Sequence, residues 1–379
     1  MRHSVFIYFF LFFIAVSLLG GSVLTTYTQF VEDGPLIENK DVVIPKGRSL
    51  KQVARLLKRE GVIESPAIFE LGVRASGNTL RIKSGEYNFP RHVSPKLAMD
   101  ILTNGQTVAR RFVAPEGMTS QQLIDLMDKY IGLTGEVKNI PPNGTLLPET
   151  YNYAYGDTKE SLVQRMQEAM TKTVEELWNN RDKNVPFNTV QEAVIMASIV
   201  EKETGRSEER PHIASVFLNR LSKKQRLQSD PTVIYAITDG RLDLKRPLTY
   251  ADLKVDHPYN TYVIYGLPAG PIANPGRKAL EAVLNPLQTE DIYFVADGTG
   301  GHVFAATYEE HQKNVNRWRK AKKNKKAIEV AKKTGISAGL PTPQSLRPVT
   351  EEISEDPVLS DEPISEPVLP APTQLDTPL

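Results

Sequence analysis

One run concentrates the chemistry: Ala193-Val-Ile-Met-Ala-Ser-Ile-Val-Glu-Lys-Glu-Thr-Gly205, an apolar and small-residue stretch of helical character that ends in two carboxylates, Glu201 and Glu203. A carboxyl at the end of an apolar helix is partly withdrawn from water. That disfavours its charged form and raises its pKa toward the value a general acid needs at neutral pH. The run is therefore the candidate acid/base centre, and its competitor is a helix end running out into solvent. Side chains two apart on a helix point different ways, so only one of the pair faces a given cleft.

Downstream, four segments are rich in groups that orient a polar ligand: Leu227 to Tyr235, His257 to Tyr262, Gly266 to Gly276 and Gly300 to Phe304. Within them Gln228, Asp230, Thr232, Tyr259, Asn260, Tyr262, Asn274 and His302 suit a carbohydrate, because aromatic rings pack on sugar faces while amides and hydroxyls meet sugar hydroxyls. Each has a plainer alternative. Asp230 before Pro231 reads as a turn or helix cap, Asn274-Pro-Gly276 as a turn, His302 as a hydrogen-bonded structural residue, and the tyrosines as core. No cofactor or metal is expected: the chain has no cysteine, and its six histidines are scattered outside metal-motif spacings. A formal net charge of +1 gives no global bias toward nucleic acid.

The elements that must position these residues read as an α+β chain. From Ser4 to about Leu24 the sequence is nearly all apolar, about the ~20 residues a helix needs to cross a bilayer. An uncleaved anchor is expected over a cleaved signal peptide, because no small-x-small site clearly follows. Arg2 and the amino terminus stay cytoplasmic by the positive-inside bias, so the bulk of the chain lies outside the cytoplasmic (inner) membrane. Two similar segments follow, Ile44 to Leu57 and Ala114 to Met127, each a strand, a Pro-x-Gly turn and a helix capped by Ser49 or Thr119. Between them Leu80 to Phe89 reads as a hairpin, with a helix capped near Ser94. These make a small α+β module over 40–135 whose outline resembles a LysM-type peptidoglycan-binding fold. Helices are expected at Lys159 to Asn179, around Gln191, and at Arg210 to Ser222, then a glycine-turned hairpin at Asp291 to Phe304, placing a larger α+β domain over 145–325. The glycines of that hairpin lack the context of a phosphate loop. A lysine-rich helix from Trp318 to Lys333 reads as a solvated face, with an anionic surface as its alternative partner, and the Pro- and acid-rich stretch 338–379 reads as disordered. The division expected is thus 1–26, 40–135, 145–325 and 338–379.

The motifs ASIVEKETG, RLQSDPTVIYAI, YNTY, GLPAGPIANPG and YFVADGTGGHVF, in this order, resemble the YceG-like family of endolytic murein transglycosylases. The resemblance runs from the anchor to about Lys320; Ala269 stands where a second proline is usual, and Pro142 to Tyr151 is a divergent version of a family segment. It implies a membrane-anchored lyase that cuts the bond between N-acetylmuramic acid and N-acetylglucosamine in nascent strands, leaves 1,6-anhydromuramyl ends and limits strand length. It implies Glu201 as the acid/base, with Glu203 second. The small Ala197 and Ser198 one turn before Glu201, against Ile199 and Val200 before Glu203, support that order as room for a glycan. One carboxyl suffices, since the muramyl C6 hydroxyl is the attacking group; a glycosidase pair would lie about 5 Å apart when retaining, and Asp230 is the residue available for it. Partners implied are glycan strands and membrane-bound cell-wall synthesis enzymes. The alternative from another class is a non-catalytic peptidoglycan-binding scaffold for those enzymes.

Overall fold

The computed structural model describes residues 2–78, 81–241 and 244–334, so the 338–379 stretch lies outside the described residues. Helices and short strands mix throughout, and the chain divides into two compact units. The first comprises the chain up to Phe112 with Leu126–Val137 and Thr150–Leu162; the second comprises Val113–Asp125, Lys138–Glu149 and the chain from Val163 on.

In the first unit, α1 (Arg2–Val31) contains a 23-residue stretch, Phe9–Val31, long and apolar enough to cross a membrane, as an anchor or a signal sequence would be. Strand β1 (Lys40–Ile44) pairs antiparallel with β2 (Gly85–Phe89), Val42 opposite Tyr87. The strand at Gly85 therefore finds its partner in β1, where the sequence suggested a local hairpin within Leu80 to Phe89. Val42, Ile44, Tyr87 and Phe89 are buried with Val53, Leu57, Phe69 and Leu102, so the long-range pairing is what lets both strands face one core. Helix α2 (Leu50–Arg59) starts at a capping box in which Ser49 and Gln52 satisfy each other's backbone N–H groups. Ser65 caps α3 (Pro66–Ala75), which the sequence reading missed, and Ser94 caps α4 (Pro95–Asn104). A second two-stranded sheet joins β3 (Arg110–Val113) to β4 (Thr150–Tyr153).

Helix α5 (Ser120–Met127), most of it in the second unit, follows a reciprocal Thr119–Gln122 contact, and α6 (Lys159–Asn179) starts in the first unit and continues into the second. Helix α7 (Val190–Glu203) opens on a Thr189–Glu192 capping box and is buried at every position from Ala193 to Glu201. It packs against α8 (Arg210–Ser222) and α10 (Arg277–Leu284), which explains an apolar run without amphipathic stripes: the helix is the centre of the unit. Burying Ile199 and Val200 contributes roughly 1.5–3 kcal/mol each. A short helix, α9 (Asp230–Thr238), lies between them in sequence. The hairpin β5 (Tyr293–Ala296) with β6 (His302–Ala305) forms as the glycines suggested, its turn held by Asp297 Oδ1, which accepts from the N–H groups of Thr299 and Gly301. Helix α11 (Tyr308–Thr334) follows.

Candidate active site

Where α7 runs out of apolar residues its two glutamates meet different surroundings. Glu201 remains inside, its side chain 3% exposed. Its Oε1 accepts from Arg210 Nη2 at 2.7 Å, and its Oε2 from the Gly276 backbone N–H at 2.8 Å. The same Arg210 nitrogen donates to Glu116 Oε2 at 2.9 Å, so two carboxylates share one buried guanidinium. The missing side chain at Gly276 lets Glu116 lie close: a Cβ there would fall 2.0 Å from Glu116 Oε1, so any larger residue would push that side chain away. Burial pushes the Glu201 carboxyl up, and the Glu116 charge adds to this, while the Gly276 N–H and Arg210 oppose it. The small Ala197 and Ser198, expected to leave room for a glycan, are 0% exposed. Ser198 Oγ donates to Ile195 O and accepts from the Ile272 N–H, so the space before Glu201 is filled by the protein itself.

Glu203 keeps some exposure to solvent although protein crowds it closely. Ser229 Oγ donates to its Oε1, and its Oε2 has no hydrogen-bond partner among the described residues. Burial, with the Asp230 charge adding to it, pushes this carboxyl from 4.5 up to about 8, against the Ser229 hydroxyl that lowers it. Asp230, at the start of α9, accepts from Tyr262 OH at 2.6 Å and is also raised by burial. Glu203 is therefore the less buried of the two residues, with one oxygen unpartnered among the described residues and a pKa pushed up to about 8.

The other sequence candidates divide into two sets. Asp230 and Tyr262 lie near Glu203, Tyr262 titrating under the influence of both carboxyls, while Gln228 accepts from Arg220 and immediately precedes Ser229, the residue that bonds Glu203. Tyr259 is half-buried against Tyr235, ring centroids 4.6 Å apart. Thr232, Asn260 and Asn274, read from sequence as sugar contacts, are 0% exposed and spend their polar groups on the protein. Thr232 bonds Ser229 O and Thr261; Asn260 donates to the carbonyls of Leu253 and Val255. Asn274 accepts from the N–H groups of Gly144 and Leu146 and donates to Met118 O and Ser120 Oγ. Asn274→Ala is thus expected to cost about 2–4 kcal/mol by stranding buried backbone groups, measured as a lower urea midpoint with unchanged slope.

His302 is placed apart from this group. Its Nδ1 is 2.8 Å from Glu209 Oε2 and its N–H donates to Glu209 Oε1, while Thr204, the residue after α7, donates to Glu209 Oε2 at 3.3 Å. Glu209 thereby ties the β5–β6 hairpin to the end of the glutamate helix. Gly301 allows the approach: a Cβ there would lie 2.4 Å from Glu209 Oε1.

Sequence reading missed Arg210, Glu116, Ser229 and Arg220. Ser229 carried a usable signal, being next to Asp230 in a polar segment. Glu116 sits in the Pro-Glu-Gly turn of the second repeat, where the turn gave a complete explanation of the residues, and nothing local linked it to Arg210.

Burial raises the proton affinity of both carboxyls at this helix end, a setting suited to acid/base chemistry. Residues 42–317 match the YceG-like family, and the chain belongs to it. A Bacillus subtilis protein named endolytic murein transglycosylase is 33% identical over 317 residues, spanning 75% of this chain and 86% of the relative. A Streptococcus pneumoniae protein of the same name is 30% identical over 363 residues, 82% of this chain but 64% of the relative's own length. The crystal structure of a YceG-like protein from Listeria monocytogenes is 30% identical and covers 73% of this chain and 98% of its own, with a TM-score of 0.46.

Proposed function

We propose that the chain is an endolytic murein transglycosylase, a lyase acting on peptidoglycan strands, with Glu203 as its acid/base. Membership of the family and the names of the 33% and 30% identical relatives support the activity. The observation that carries the residue is that Glu203, unlike the buried Glu201, keeps some exposure as a residue, with one carboxyl oxygen unpartnered among the described residues and a pKa pushed up to about 8. Glu201, first choice from sequence, is the competing assignment; both of its oxygens already accept from protein donors and its side chain offers no open face.

Protonated Glu203 gives its proton to the oxygen linking N-acetylmuramic acid to N-acetylglucosamine, and the bond to the anomeric carbon breaks through an oxocarbenium-like transition state. The resulting carboxylate takes the proton of the muramyl C6 hydroxyl as that oxygen attacks the anomeric carbon. The products are a 1,6-anhydromuramyl end and a free hydroxyl, with Glu203 protonated again. Burial keeps Glu203 protonated, with the Asp230 charge adding to it, and Asp230 orients Tyr262 by accepting from its hydroxyl.

In this reading residues 1–26 anchor the chain in the cytoplasmic membrane, with the bulk outside. The 40–135 module, LysM-like, binds peptidoglycan, and 145–325 cuts nascent strands near the membrane, beside cell-wall synthesis enzymes, so limiting their length. The test is to incubate the full chain with purified long strands. Internal cutting shortens the population before small fragments accumulate; strands bound but left at full length would instead mark a scaffold.

The pH dependence follows from the donor. Since Glu203 must be protonated for bond cleavage and regains its proton in the second step, kcat is expected to be level at neutral pH and to fall as pH rises through about 8. A falling limb near 4.5, the ordinary carboxyl value, would refute the assignment.

A further inference from the structure

Arg220 is 2% exposed, the largest of the fully buried side chains among the described residues, and none of its hydrogen-bond partners there is a carboxylate. Its Nε donates to Arg226 O at 2.9 Å, its Nη1 to Ile292 O at 3.0 Å, and its Nη2 to Gln228 Oε1. A buried cation held only by neutral acceptors is costly, and burial lowers its pKa to about 10. Its third acceptor is unusual as well. Gln228 has φ 54°, a left-handed conformation seldom adopted by glutamine, and its N–H donates to Thr261 O at 3.1 Å. The next residue is Ser229, which holds Glu203.

A guanidinium donates only, so it can face the amide oxygen of Gln228 and never its nitrogen. This contact removes the usual ambiguity of an amide rotor. The Nε2 group, with no partner among the described residues, is left with two N–H bonds, on the residue next to the Ser229 that bonds Glu203.

We infer that Arg220 is a positioning residue that fixes the Gln228 amide so that its N–H groups receive the 2-acetamido carbonyl of a sugar bound at Glu203. This rests on the transglycosylase reading. Of the neutral, acceptor-only groups on an N-acetylated glycan, the acetamido carbonyl is the strong acceptor that matches an oriented pair of amide donors; the ring, glycosidic and ether oxygens are weaker acceptors. Sugar hydroxyls both donate and accept, and would not need the amide fixed in one sense.

The test is an affinity cycle with full-length protein in the Glu203→Gln background, using N-acetylated strands and the same strands after chemical de-N-acetylation. Adding Gln228→Glu keeps a partner for Arg220 but replaces the N–H donors by an acceptor. It is expected to weaken binding of acetylated strands by about thirtyfold, while changing binding of de-N-acetylated strands less than about threefold. Arg220→Lys, which retains a cation but cannot hold two carbonyls and the amide together, is expected to give the same pattern. Should the Lys variant not fold, the Gln228→Glu arm decides. Equal losses on both strands, or none on either, would overturn the inference alone. Wild-type protein that binds strands and leaves no anhydro ends would overturn the transglycosylase reading and the inference with it.

Discussion

Glu203→Gln is expected to lower turnover on glycan strands by about a thousandfold, within the range that removal of a general acid/base costs. The same change is expected to stabilise the fold at alkaline pH. The wild-type carboxyl has an ordinary value of 4.5 and a folded value of about 8, so the folded state binds the proton more tightly. Stability from this group is present in full below pH 4.5 and declines as pH rises through 8. Glutamine does not ionise, and its side-chain oxygen still accepts from Ser229. The variant should therefore match wild type near pH 4 and exceed it by about 2–4 kcal/mol above pH 8, after discounting for the exposure Glu203 retains. Single-turnover rates and denaturant unfolding across pH check both halves. A slower variant with no pH-dependent gain in stability would mean that Glu203 is not held protonated.

Arg210→Met is expected to be the most destabilising single change at the site, by about 3–5 kcal/mol at neutral pH. It fills much of the stem volume and leaves the Glu201 carboxylate buried without its partner. Glu116, whose side chain is 41% exposed, can hydrate, so Glu116→Gln should cost under about 1 kcal/mol. Glu201→Gln in the Arg210→Met background should recover part of the loss, because a neutral amide no longer demands a cation. Urea midpoints of the single and double variants measure this coupling. If Arg210→Met unfolds at the wild-type midpoint, the shared guanidinium does not hold the site together.

Much of the site was legible where local chemistry is decisive. The apolar run ending in two carboxylates gave α7, and the glycine-bounded strands gave the β5–β6 hairpin. The opposed facing of Glu201 and Glu203 followed from helical spacing, and their partners, Arg210 and Ser229, are indeed different. The choice between them was not legible, because it depends on what fills the space beside each. Small residues before Glu201 looked like an opening, yet Ile272 packs its backbone onto Ser198 there. Nor could composition tell a sugar-binding amide from a loop-tying one. Asn274 and Gln228 are both side-chain amides in polar segments, but the first closes four bonds within the protein while the nitrogen of the second has no partner among the described residues. The partner of β2 was hidden for a related reason. Its alternation fixed which face is buried, and only the shared core with β1 decides which strand completes it.

The origin of the atoms at the new chain end tests the central claim most directly. Cleavage of purified strands is carried out in water labelled with heavy oxygen, and the muramyl ends are weighed. Intramolecular attack by the C6 hydroxyl predicts ends one water lighter than a reducing end and free of label, formed by wild type and by Glu201→Gln but not by Glu203→Gln. Ends that carry one labelled oxygen, or anhydro ends still formed by Glu203→Gln at the wild-type rate, would contradict it.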